Sequence, residues 1–146
     1  MKKSSPLEVP QMQLDPNAFV AHPDLLRALG GRSTPVPCGT DGVLFRQDEP
    51  SVGVFILHAG TVTVSMMSHD GHSLFAVQAR PGSILGLPGA ISNQPYTLSA
   101  FARAGAKVSF VSNSDLTALM HSDPALSLKM LEVLAAEVRS ARKAII

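Results

Sequence analysis

One cysteine, Cys38, is all the thiol chemistry that the 146 residues offer. That count excludes an internal disulfide framework and any zinc site built on several cysteines. No apolar run approaches the length that crosses a bilayer. The opening residues, Met1-Lys2-Lys3-Ser4-Ser5-Pro6, lack the apolar segment of a signal peptide, so a cytoplasmic protein with no membrane partner is expected. Charge is scarce too: 16% of residues are charged and the net charge is +1, which leaves no electrostatic footprint for nucleic acid, and no direct nucleic-acid contact by this chain is expected. No glycine-rich phosphate loop of the Walker or dinucleotide type is present. Cys38 has only distant histidines for a base, and no acidic pair reads as general acid and base. No catalytic residue and no cofactor are therefore assigned.

What remains is 45% hydrophobic, enough for one packed domain of this length. Residues 1–14 are polar, punctuated by proline and without period, and read as a flexible tail. Residues 15–146 read as a single domain. In its first part, 15–31, Asp15-Pro16 starts a short helix, Pro23 interrupts, and Leu25, Leu26 and Leu29 belong to a second helix ended by Gly30-Gly31. Across residues 35–111 the period changes to two. Apolar stretches at 43–45, 54–57, 62–64, 72–78, 83–85, 96–101 and 107–111 alternate with turns at Asp41-Gly42, Ala59-Gly60, Asp70-Gly71, Pro81-Gly82 and Gly105. The fold class this implies is mainly β with flanking helices, an antiparallel β-roll of jelly-roll type between N-terminal helices and a long C-terminal helix.

Residues 112–146 return to a helical period. Ser112 with Asp115 forms a capping pair, and Leu116, Leu119 and Met120 are expected to face the roll. Asp123-Pro124 starts the last helix. In it Leu131, Leu134, Val138, Ala141 and Ile145 recur at spacings of three and four, the seam of a coiled coil. Met130 and Val133 add a second apolar edge. One side thus suits the roll and the other a partner, and a homodimer through this seam is expected. A helix that only packs on its own roll is the alternative.

The stretch 81–102 carries the most information. A Pro-Gly turn and a short apolar strand open onto Gly86, Leu87, Pro88, Gly89 and Ala90, and an alternating run follows from Tyr96 through Thr97 and Ser99. Gly86 and Gly89 let backbone approach a ligand closely, and Pro88 shapes the turn. In this order of turns, and in the run Val43 to Val64 with its glycine at Gly60, the chain from about residue 35 onward resembles the cyclic nucleotide-binding domain of the Crp/Fnr (catabolite activator) regulators.

That resemblance implies a non-enzymatic, ligand-sensing regulatory domain with a small-molecule effector. It also implies that the last helix is a dimer interface, and that a DNA-reading domain, not read in these residues, would be needed for transcription regulation. The family's cassette holds the ribose with a glutamate and the cyclic phosphate with an arginine. A gap-free placement puts Leu87 at the first and Tyr96 at the second. The expected ligand-binding residues are then Gly86, Leu87, Pro88, Gly89, Ala90, Tyr96, Thr97 and Ser99, in a site ill-suited to cAMP or cGMP. Two outcomes stay open: an apolar pocket for another small ligand, or a filled pocket in an interaction and dimerisation module. A third, weaker reading is a cupin-like metal enzyme using His58, His69 and His72. It lacks the paired-histidine spacing, so no metal ligand is assigned.

Overall fold

The computed structural model describes residues 13–145, without the side chains of Ala144 and Ile145. Of the expected 1–14 tail, residues 1–12 lie outside that range. The Asp15 carboxylate accepts from the Asn17 N–H and caps a 3-10 turn, Pro16–Phe19, so the first helix is tighter and shorter than an α-helix. Helix α1 (Pro23–Gly30) starts at His22, whose Nδ1 accepts from the Asp24 N–H at 3.0 Å. Strands β1 (Thr34–Val36), β2 (Gly42–Phe45), β3 (Gly53–Ala59), β4 (Val62–Met67), β5 (Ser73–Gln78) and β6 (Ile84–Leu85) follow. Then come α2 (Leu87–Ser92), β7 (Ser99–Ala102), β8 (Lys107–Ser112), α3 (Asn113–Ser122) and α4 (Pro124–Ile145).

The strands form two antiparallel four-stranded sheets, ordered β1-β8-β3-β6 and β2-β7-β4-β5. This is the expected roll with helices before and after it. Residues 53–57 of β3 are all buried, because its sheet is covered on both faces. Phe55 and Leu57 point into the roll with Phe45, Val62, Val64, Phe75 and Leu98. Val54 and Ile56 point the other way, into a second core with Leu25 and Leu29 of α1, Leu116 and Leu119 of α3, and Met130 and Val133 of α4.

Two expectations about strands change. Thr34–Val36 is a strand that the alternation did not single out; it lies at a sheet edge, where Pro35 needs no ladder donor. The run 96–101 is strand only from Ser99. Tyr96 instead bonds the preceding turn, its N–H donating to Glu49 O at 3.0 Å and its carbonyl accepting from the Asp48 N–H at 2.8 Å. Gly42 closes its turn without a positive φ, whereas Gly60, Gly71, Gly82 and Gly105 adopt one.

The entering chain is tied down at both ends of the 3-10 turn. The Asp15 N–H donates to Ser140 Oγ on α4 at 2.9 Å, and the Ala21 N–H donates to Gly82 O at 3.0 Å. The first bond holds residues 14–19 between α4 and the mouth of the roll. A cavity is left there.

Candidate ligand-binding site

The cassette region is built around Gly86, the hinge between β6 and α2, whose φ of +89° is open to glycine at little cost. A Cβ there would lie 2.9 Å from Tyr96 Cε1, so the tyrosine ring sits directly over this glycine. Tyr96 stacks on Phe45 with ring centroids 4.2 Å apart. Its hydroxyl donates to Gly53 O at 2.8 Å and accepts from the N–H groups of Val52 and Gly53 at 3.1 and 3.3 Å. The phenol is therefore fully engaged with the backbone that enters β3. Leu87 is buried completely and belongs, with Ala90, to the core between the sheet and the helices. Gly89 is buried where α2 turns back on itself, a Cβ there meeting Gln94 O at 2.8 Å. Ser99 Oγ accepts from the Gln47 N–H at 2.8 Å.

The open space lies beside this cradle. A cavity of about 240 Å³ is walled by Leu14, Ala18 and Phe19 of the entering chain, by Met66, Phe75 and Leu98 of the roll, and by Leu134, Glu137, Val138 and Ala141 of α4. Of the eight residues expected to bind ligand, Pro88 and Thr97 line it. Gly86, Leu87, Gly89, Ala90, Tyr96 and Ser99 do not; Tyr96 belongs to the core of the roll, and Leu87 and Ala90 to the second core.

Among the described residues lining the cavity, Glu137 is the one titratable group. Its Oε2 is sealed from solvent and has no hydrogen-bond partner. Burial without a compensating charge pushes its carboxyl up to about 8. The sequence reading did not single it out. Its spacing, three residues after Leu134 and four before Ala141, puts it on their face of the helix, but a lone glutamate there reads as solvated.

The expected interface residues divide. Leu131 and Val138 are 58% and 53% exposed, and Leu128, one turn earlier, is 61% exposed. Leu134 and Ala141 are half-buried against the cavity. The Ile145 side chain lies outside the described residues.

The histidines are dispersed. His58 Nε2 lies 2.7 Å from Ser109 Oγ, and His72 Nδ1 is 3.2 Å from Asp70 at an exposed hairpin tip. There the Ser68 hydroxyl, first of all, holds the Asp70 carboxyl below its usual value. Among the described residues no three His, Cys, Asp or Glu side chains are grouped so as to hold a metal ion, and no helix is long and apolar enough to cross a membrane.

Comparison with known proteins gives this fold a family. The structure is similar to the catabolite activator protein of Thermus thermophilus (19% identity over 90% of this chain and 62% of that one, TM-score 0.66). It is also similar to FixK2 of Bradyrhizobium japonicum (25% identity, 76% of this chain and 55% of that one, TM-score 0.65). A third match is the N-terminal domain of a transcriptional regulator from Streptomyces coelicolor A3(2) (18% identity, 90% and 92%, TM-score 0.62). The chain thus spans 62% and 55% of the length of the first two. No curated protein sequence matches it significantly. The family model for the cyclic nucleotide-binding domain matches residues 37–123, from the first turn of the roll through α3, and the chain belongs to the cyclic nucleotide-binding domain family.

Proposed function

We propose that this domain is a non-enzymatic sensor whose cavity takes a small, largely apolar ligand in place of a cyclic nucleotide, and that it works as a homodimer through α4. The observation that carries the reading is the make-up of the cavity among the described residues: apolar walls, no Lys or Arg in the lining, and one carboxyl, that of Glu137. A cyclic phosphate placed there would lose the guanidinium contact, worth about 1.5–3 kcal/mol, and would meet a buried acid instead. Leu87 and Tyr96, at the positions of the family's two polar anchors, are committed to packing and to backbone hydrogen bonds.

The route from ligand to output runs through α4. Leu134, Glu137, Val138 and Ala141 wall the cavity while Leu131 and Val138 reach the outer face of the same helix. A ligand with different affinities for two positions of α4 shifts the population between them, and the partner subunit feels the shift. The filled cradle favours a second reading, an interaction module that binds nothing. The cavity volume argues against it.

A thermal melt with millimolar cAMP or cGMP tests the central claim. Saturation at a hundred times Kd would add about 2.7 kcal/mol and raise the midpoint by several degrees. No shift is expected with either nucleotide. A shift that vanishes in Tyr96→Ala would return the domain to nucleotide sensing.

A further inference from the structure

We propose that the ligand is a small apolar amine, with its ammonium group on Glu137 and its hydrocarbon body against Phe19, Phe75 and Leu98. The inference rests on the reading of the cavity as a ligand site and names the chemistry that site would recognise.

Glu137 lines a cavity whose other walls are nearly all apolar, and its Oε2, shut off from solvent, has no hydrogen-bond partner. A carboxyl left in this state is costly to the fold, and the strongest compensation is a cation that donates to it. Among the described residues lining the cavity none supplies one. Lining residues from the entering chain, the roll and α4 include no Lys, Arg or His. Of the cations of α4, Arg139 and Lys143 line a neighbouring cleft with Asp15 and Asn17, where the Asp15 carboxylate is occupied with the Asn17 N–H, and Arg142 lines a groove on the outer face with Leu134 and Val138. A cationic ligand would supply the partner that the described lining residues do not, and would draw the proton off the carboxyl as it binds. Size points the same way: 240 Å³ exceeds the roughly 150 Å³ that admits benzene and falls short of a drug-sized site of about 300 Å³ or more. One ring with a short aminoalkyl chain fits. Because Val138 belongs both to the cavity wall and to the exposed seam, the seat of the amine adjoins the face proposed for dimerisation.

Calorimetric titration of the 146-residue protein with phenethylammonium and with its neutral counterpart 2-phenylethanol tests this. Phenethylammonium is expected to bind at least tenfold more tightly. Glu137→Gln, which keeps the shape of the side chain, should abolish that preference, and an unchanged far-ultraviolet circular dichroism spectrum reports that the variant is folded. In the wild-type protein at pH 7, burial keeps Glu137 protonated. Amine binding should then release a proton, seen by repeating the titration in buffers of different ionisation enthalpy, and alcohol binding should not. Equal affinity for the two probes, or amine binding with no proton released, overturns the amine assignment while leaving an apolar-ligand site standing. Failure of both probes to bind the folded wild-type protein overturns the site itself.

Discussion

The Tyr96 hydroxyl donates to the carbonyl oxygen of Gly53, 2.8 Å away, and thereby fastens the end of the cassette to the first residue of β3. The Tyr96 hydroxyl oxygen also accepts two backbone N–H groups, from Val52 and Gly53. Tyr96→Phe keeps the ring on Phe45 and strips three polar groups of their buried partner. The expected cost is about 1–3 kcal/mol, the usual range for a buried polar group left unpaired. In a chain of this length that lowers the melting midpoint by several degrees. A denaturant titration that found Tyr96→Phe as stable as wild type would show that water replaces the hydroxyl and that the clamp is dispensable.

Gly86 and Tyr96 are coupled by contact. In Gly86→Ala the new methyl group would sit 2.9 Å from Tyr96 Cε1 and the residue would be held at φ +89°. The left-handed backbone alone costs about 1–2 kcal/mol, and displacement of the ring adds to it. Only the second part should disappear when the ring is removed. A double-mutant cycle with Tyr96→Ala is therefore expected to return a coupling of at least about 0.5 kcal/mol, with Gly86→Ala less damaging in the Tyr96→Ala background. Strict additivity would mean that the ring moves aside freely.

Leu131 and Val138 stand two turns apart on the outer face of α4, each more than half exposed. If this seam joins two copies, Leu131→Glu combined with Val138→Glu places like charges across it, and sedimentation should change from twice the 15.4 kDa chain mass to the single mass. Far-ultraviolet circular dichroism should be unchanged, since exposed substitutions away from packed contacts usually cost within about 0.5 kcal/mol. A wild-type protein that sediments as a monomer at tens of micromolar would remove α4 as a dimer interface.

The parts of the fold that were legible in the sequence are those where burial alternates visibly. Tyr96, Leu98 and Ala100 point inward and Thr97 and Phe101 outward, as the period of two implies, although the hydrogen-bonded ladder begins only at Ser99. Side-chain periodicity reports which face is covered; it does not report where the backbone bonds go. The two edges of α4 were readable in part: Met130 and Val133 lie in the core and Leu131 and Val138 outside, but Leu134 and Ala141, read with the outer seam, are half-buried against the cavity. Neither the engagement of Leu87 and Tyr96 nor the solitude of Glu137 could be read this way. Each depends on segments distant in sequence, Val52 and Gly53 for the tyrosine and residues 14–19 for the glutamate, and a glutamate on a helix with Glu132 and Arg139 nearby reads as solvated.

Glu137 makes the stability of the domain depend on pH in a direction opposite to that of most carboxylates. Its folded value is raised from 4.5 to about 8 by burial, so between those values the unfolded chain has released a proton that the folded chain retains. Stability falls wherever the folded state binds more protons. The contribution of this group should therefore be intact below pH 4.5, decline as pH rises toward 8, and level off above that, with a limiting slope of about 1.4 kcal/mol per pH unit. Among the described residues no other titratable side chain lines the cavity to mask the effect. Glu137→Gln abolishes the dependence, because an amide has no proton to lose, and Glu137→Leu does so while removing the unpaired polar atom. The gap between wild type and either variant, followed by urea denaturation from pH 5 to pH 9, should widen steadily in favour of the variant up to about pH 8. A gap that stays constant across the range would show that Glu137 titrates as an ordinary solvated carboxylate and that its chamber is open to water.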